Sequence, residues 1–433
     1  MFTLARVVGA ARSCISLRQL AITLTPVAIL ASTASCAGHS GNVGPVATET
    51  HPVMAEKNKA RVAPVLTTTA AMTNLFEPSE IATEAQLKRS LGAGESIQRQ
   101  LEWVEREESV ASGDVAAGEY LVTYLITPAD DYYDLEAGID TLPAHHTTVA
   151  PGSAHVSVVV RDAADGRMVQ GLDVHATLGA ANTSAQIGAR LPFGWHPILN
   201  RYGENIVLPE SPFTLTVRIG MPTYQREDSV NGNRFRNDVT AIFTGVTVST
   251  DSLAGAAQRL ARGNRRDAVE LSRSEGKAIE SSIAAALRER PASGLQRQSG
   301  DYSVSVLIGP AQGAWAPQNG GLTYFATDNS IGTVNHVEIS IRDAATGRVV
   351  PDLNVRAKII DSRKKEVDTY VMPFVWSPRT DVYGLNVAVP GNGRYTIQVR
   401  AGAPAFRKYG SSAIRQFKRP VNVDFRGLRF VTR

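Results

Sequence analysis

His336 and Glu338, two residues apart, open a run in which Val337, Ile339 and Ile341 alternate with polar residues. In a strand that spacing puts an imidazole and a carboxylate on one face. The first half of the chain is richer in imidazole, with His145, His146, His155, His175 and His196 out of eight histidines in all. Imidazole suits copper, zinc, iron or nickel, so a site built from His155, His196 and the His145–His146 pair is one reading of that half. The other keeps them as separate surface or loop histidines, because no cysteine or tight ligand spacing accompanies them. Asp130, Asp131 and Asp134 beside Tyr132 and Tyr133 form an acidic aromatic loop that could hold a hard cation or a partner, or simply make a solvated turn. No GxSxG, P-loop, HExxH or GxGxxG in a βαβ setting marks a catalytic centre, so the expectation is a binding protein and not an enzyme.

The elements that must position these residues occur twice. HVSVVVRDAADGRMVQGLDVHATL from His155 and HVEISIRDAATGRVVPDLNVRAKI from His336 match at half of their positions without a gap, and PFGWHPILNRYGENIVLP from Pro192 returns at the same offset as PFVWSPRTDVYGLNVAVP from Pro373. A period of about 180 residues is too long for a solenoid or propeller unit, so each copy is expected to be a self-standing domain. Alternation predicts strands with one buried and one wet face, and Asp165-Gly166 and Thr346-Gly347 predict hairpin turns. Short strands, frequent turns and no βαβ alternation predict a mainly β chain: two tandem immunoglobulin-like antiparallel β-sandwiches, each preceded by short helical segments. Ile97, Leu101 and Val104 form one apolar helical stripe, and Ile279, Ile283 and Leu287 form another beyond a break at Gly263-Asn264. The rings of Phe193, Trp195, Phe374 and Trp376 are expected in the sandwich cores. Gly203 and Gly384 are expected to take a backbone angle closed to other residues, and Asn205 and Asn386 to satisfy buried backbone groups.

Residues 1–35 read as a secretion signal with Arg6, Arg12 and Arg18, an apolar core from Leu20 to Ala31 too short to span a bilayer, and small residues up to Cys36. Thr33-Ala34-Ser35-Cys36 resembles a bacterial lipobox, which implies a lipid on Cys36 and a membrane-anchored protein exported to the periplasm or cell surface. With Cys14 lost and Cys36 modified, no disulfide remains. The net charge is +4, but without the three signal arginines the chain is close to neutral, which gives no global case for nucleic acid. The expected layout is a tether over 36–75, a first module over 76–250 with its sandwich core at 118–248, a helical linker over 251–298 and a second module over 299–433.

The motif order HVEISIRD, MPFVWSPRTDVYGLNV from Met372 and GNGRYTIQV from Gly391 resembles the periplasmic iron-transport-associated proteins of bacteria. That resemblance implies an immunoglobulin-like sandwich that binds copper or iron and works beside an inner-membrane metal permease or other envelope proteins. It implies ligands at His336 and Glu338, but Phe374, Val382 and Tyr409 stand where the family has a methionine and two histidines. In the first module His155 is retained, with Ser157, Phe193, Arg201 and Glu227 at the other positions. Metal binding, if retained, is therefore expected in the first module. The alternative is a non-catalytic envelope or surface interaction protein whose metal site has degenerated.

Overall fold

The computed structural model describes residues 75–134, 145–147, 152–180, 184–262, 266–327, 333–410 and 415–431. The expected signal, Cys36 and the tether up to residue 74 lie outside the described residues. In the first module, helix α1 (Glu84–Glu107) starts at a capping box formed by Thr83 and Gln86. It is followed by β1 (Ala111–Ala117), β2 (Tyr120–Pro128), β3 (Tyr132–Asp134), β4 (His145–Thr147), β5 (Ser153–Asp162), β6 (Val174–Ala180), β7 (Gln186–Arg190), β8 (Phe193–Trp195), β9 (Arg201–Val207), β10 (Phe213–Ile219), β11 (Gln225–Glu227) and β12 (Val239–Val246). Helices α2 (Thr250–Arg262) and α3 (Arg266–Glu289) lead to the second module. There the strands are β13 (Gly294–Ser299), β14 (Tyr302–Pro310), β15 (Ala314–Gln318), β16 (Gly321–Phe325), β17 (Thr333–Asp343), β18 (Val355–Ile360), β19 (Glu366–Met372), β20 (Phe374–Trp376), β21 (Val382–Val389), β22 (Gly393–Ala401), β23 (Arg407–Tyr409) and β24 (Val421–Phe430).

Each module packs an eight-stranded sheet against a four-stranded one, as the alternating pattern predicted for a sandwich. The small sheets, β12-β10-β6-β7 and β19-β18-β22-β24, come from one module each. The large sheets do not. Their orders are β1-β2-β5-β9-β8-β23-β3-β4 and β13-β14-β17-β21-β20-β11-β15-β16, so each module lends one three-residue strand to the other. Strand β11 lies parallel to β20 and antiparallel to β15, while β23 lies parallel to β8 and antiparallel to β3. The copies are therefore not self-standing: each large sheet is continuous only because the other module fills it.

The wet face expected beside Val337, Ile339 and Ile341 is also buried: Glu338 and Ser340 are 6% and 3% exposed. Alternation correctly marked two chemically different faces, but α3 covers the polar one, with Ile283, Ala286 and Leu287 lining a cleft over Glu338 and Ser340. In the first module α1 does the same. Its Ile97, Leu101 and Val104 join the first core, and Gln98 accepts from Arg161 on β5. The two helices also pack on each other, with Ala93 and Ile279 in contact and Gln100 donating to Glu275 across 3.0 Å. Helices α1 and α3 correspond in detail, since the buried serines Ser90 and Ser272, the glycines Gly94 and Gly276, and Ile97 and Ile279 keep one spacing. The duplicated unit includes its helix.

The turns at Asp165-Gly166 and Thr346-Gly347 form with positive φ at both glycines. Their return arms, however, pair only through the isolated bridges Arg161–Met168 and Arg342–Val349, because the chain then crosses to the small sheet. The arginine closing each turn reaches into the other module. Arg167 donates to the Ser377 carbonyl at 2.9 Å, and Arg348 donates to the His196 carbonyl at 2.9 Å while its guanidinium lies over Trp195 at 4.4 Å. Trp195 and Trp376 are core residues as expected, but each sits in the core of the opposite module.

At this junction burial pushes the Asp381 carboxyl up to about 6, with Asp165 adding repulsion and Arg167 offsetting part of it. An acid whose folded pKa lies above its unfolded value costs nothing below the unfolded pKa, and its penalty grows until pH passes the folded one. Asp381→Asn should therefore stabilise the protein by on the order of 1 to 3 kcal/mol at pH 8, and the gain should vanish at pH 4. Denaturant melts of both proteins across that range check it; a gain independent of pH would contradict the assignment.

Candidate metal centre

The exchange of β11 carries a carboxylate into the second large sheet. On β17, His336 and Glu338 point the same way, as period-two geometry requires. Glu227 at the end of β11 meets them, with Glu227 Oε1 2.7 Å from His336 Nε2. One donor atom from each of Glu227, His336 and Glu338 lies within 4.8 Å of the others, and all three residues are buried. It is the one such group of His, Cys, Asp or Glu found among the described residues.

Asn386 sets the imidazole. The Gln312 backbone N–H donates to Asn386 Oδ1 at 3.0 Å, and Asn386 Nδ2 donates to the Gln312 carbonyl at 2.7 Å, which fixes the amide. Asn386 Oδ1 then lies 2.9 Å from His336 Nδ1 and can only accept, so Nδ1 carries the proton and Nε2 faces the carboxylates. A histidine whose far nitrogen is held in this way is aimed to offer the near one to a metal. Gly384 is needed here for space: a Cβ would lie 3.0 Å from His336 Nε2 and 3.1 Å from Glu227 Oε1. The expectation of a special backbone angle at Gly203 and Gly384 is corrected, because neither has positive φ and the close approach of the histidine is the constraint. Asn205 and Asn386 do satisfy backbone groups, at Asp130 and Gln312, besides holding their histidines.

Arg379 closes the group on the Glu338 side, donating to Glu338 Oε1 at 2.9 Å and lying 3.9 Å from Glu227 Oε2. Burial would raise the Glu338 pKa, but Arg379 and His336 outweigh it and hold the carboxyl below its usual range. Burial would lower His336, but Glu227 and Glu338 outweigh that and hold it above its ordinary value. A cavity of about 140 Å³ lined by Gln225, Gln312, Phe325 and Asn386 opens onto His336 and Glu227.

The equivalent place in the first module is closed. His155 is fully buried, and its Nδ1 lies 3.1 Å from Asn205 Oδ1, as in the other copy. Facing it, however, are Ser157 where Glu338 stands and Tyr409, delivered by β23, where Glu227 stands. The Tyr409 ring meets the His155 ring edge-on at 5.0 Å, and Gly194 makes room for it, since a Cβ there would clash with that ring. Burial, with Arg201 adding to it, pushes the His155 pKa down to about 3. Among the described residues His155 and His196 belong to no group of three metal-ligating side chains. His196 lies across Tyr409, at 6.4 Å between ring centroids, and its Nδ1 accepts from the Ile198 backbone. His175 is a surface partner of Asp173. The side chains of His145 and His146 on β4 lie outside the described residues. Tyr132 to Asp134, read as part of an acidic loop, form strand β3 against β23.

Sequence reasoning aligned Glu227 with Tyr409 but left Glu227 beside His155. Arg379 was not singled out. The repeat itself carried a usable signal, since Glu338, Glu227 and Arg379 in one set stand against Ser157, Tyr409 and Ile198 in the other.

The architecture is that of a duplicated β-sandwich with one buried His/Glu/Glu group built across its two halves. Residues 334–431 match the model of the Fe2+ transport protein family, in line with the resemblance of the duplicated modules to periplasmic iron-transport-associated proteins. Among solved structures the chain is similar to FetP of uropathogenic E. coli, at 14% identity and a TM-score of 0.25, covering 32% of this chain and 94% of that one. No curated protein matches. Among the described residues no helix is long and apolar enough to cross a membrane.

Proposed function

We propose that this chain is an exported iron-binding protein of the bacterial envelope that takes part in iron uptake without itself catalysing a reaction. The observation that carries the reading is the convergence of Glu227, His336 and Glu338 from two modules at one buried point. The match of residues 334–431 to the Fe2+ transport protein family supports iron as the cargo. One imidazole and two carboxylates suit Fe(II) or Mn(II), whereas Cu(I) prefers soft sulfur donors. Phe374, which replaces the expected methionine, packs instead on Tyr224 and Tyr383. The cavity beside His336 leaves room for waters to complete the coordination. A lipid on Cys36 would keep the protein at a membrane, where an inner-membrane permease is its natural partner.

A second reading, an envelope interaction protein with a degenerate site, is favoured by one observation: in the first copy the ring of Tyr409 packs against His155 where a carboxylate stands in the second. It fits that half better than the whole.

Anaerobic Fe(II) titration of the purified chain decides between them. Wild type should bind one ion, His336→Ala should bind roughly a hundredfold more weakly or not at all, and His155→Ala should bind as wild type. No affinity beyond that of scattered surface histidines, or loss only in His155→Ala, would remove the proposal. Circular dichroism of each variant confirms that the fold is kept.

A further inference from the structure

We infer that Arg379 is a displaceable internal counter-ion: it occupies the carboxylates of the empty site, and retracts into the cleft under α3 when metal binds. The inference rests on the reading of Glu227, His336 and Glu338 as the iron site.

Three observations support it. The Arg379 guanidinium spends its bond on Glu338 Oε1, one of the oxygens a metal would need, and lies 3.9 Å from Glu227 Oε2. A metal bound by both carboxylates would lie against that cation in a buried setting, where like charges repel strongly. The ion and the guanidinium therefore compete for the same oxygens.

The guanidinium stands at the edge of a second, narrow space. Arg379 also lines the cleft formed by α3, β14 and β17, a space of about 20 Å³ that holds about one water, so a retracting guanidinium must displace that water and push the cleft walls apart. Along its walls are Ser305, Ser340 and Gln86, and the buried Ser340 hydroxyl has no hydrogen-bond partner. Arg379 Nε is likewise without one. A retracted guanidinium would supply the donor that Ser340 lacks. The cleft and the cavity beside His336 share no lining residue, so metal entry and Arg379 withdrawal need not obstruct each other.

The internal duplication is a natural control. Where the carboxylates have become Ser157 and Tyr409, the residue at the Arg379 position is Ile198, buried in the first core. At the aligned position the arginine is present only in the copy that has the carboxylates, while the first copy holds a guanidinium from another position, Arg201, against Tyr409. A guanidinium held in this way favours release as well as charge balance, because it stands ready to reclaim Glu338 when the ion departs.

The test compares wild type, Arg379→Met and Arg379→Lys by Fe(II) titration and by the rate at which a strong chelator strips the ion. Arg379→Met should bind at least tenfold tighter and release correspondingly more slowly, while Arg379→Lys, which keeps the charge, should stay near wild type. Wild type that binds, with Arg379→Met equal or weaker, overturns the counter-ion role and leaves the iron site standing. Binding by neither protein overturns the site itself. A crystal of wild type soaked in Fe(II) gives the same decision without substitution: the guanidinium should lie beside Ser340, and finding it still on Glu338 with metal bound would refute the inference.

Discussion

Gly276→Ala should cost roughly 3 kcal/mol or more of stability, although alanine is the better helix former. Gly276 lies where α3 rests on the turn after β17, and a Cβ there would clash with the Thr346 carbonyl oxygen. Backbone opposes backbone at this point, so no side chain can rotate away; helix and turn must separate. Separation would lift α3 from Glu338 and Ser340 and admit water to the polar face of β17. Gly92→Ala on α1 is the control, because a Cβ there would meet nothing within 4 Å, and it should gain about 0.5 to 1 kcal/mol. Urea melts of the three proteins check both signs. A neutral Gly276→Ala would mean that α3 does not press on the sheet.

The second large effect belongs to Trp195. It is fully buried, stacks on Phe406 at 5.7 Å, meets Phe417 at 5.1 Å and donates its indole N–H to Gln416 at 3.2 Å. All three partners are in the second module, and Arg348 from that module covers the ring. Trp195→Ala removes a large side chain from a core it does not share a module with, at a cost of about 3 to 5 kcal/mol. Since β23 is bound beside β8 in the same region, the second module should lose stability as much as the first. Calorimetry should show a single transition moved to lower temperature, with Trp195→Phe recovering part of the loss. An unmoved second-module transition would contradict the interlocked architecture.

These two residues also show how far the sequence could be read. Alternation at Val337, Ile339 and Ile341, and the return of whole motifs, were enough to identify a duplicated sandwich, because burial on a pleated surface imposes period two. The same pattern marked Trp195 as a core residue but could not say whose core, since apolarity carries no address. Strands β11 and β23 are three residues long and have no period to read, so their exchange was invisible. Glu227 was therefore placed beside the wrong histidine. The polar face of β17 looked wet because only a helix from a distant stretch of chain covers it. At Gly384 residue type was read correctly as a constraint, but its cause, the space taken by His336 and Glu227, needed the fold.

The most direct measurement is anomalous diffraction from wild-type crystals soaked anaerobically in Fe(II). One peak is predicted, about 2.0 to 2.2 Å from Glu227, His336 and Glu338 together, bridging the two modules. A peak on the histidines of the first module, or no ordered peak at saturating iron, would contradict the account.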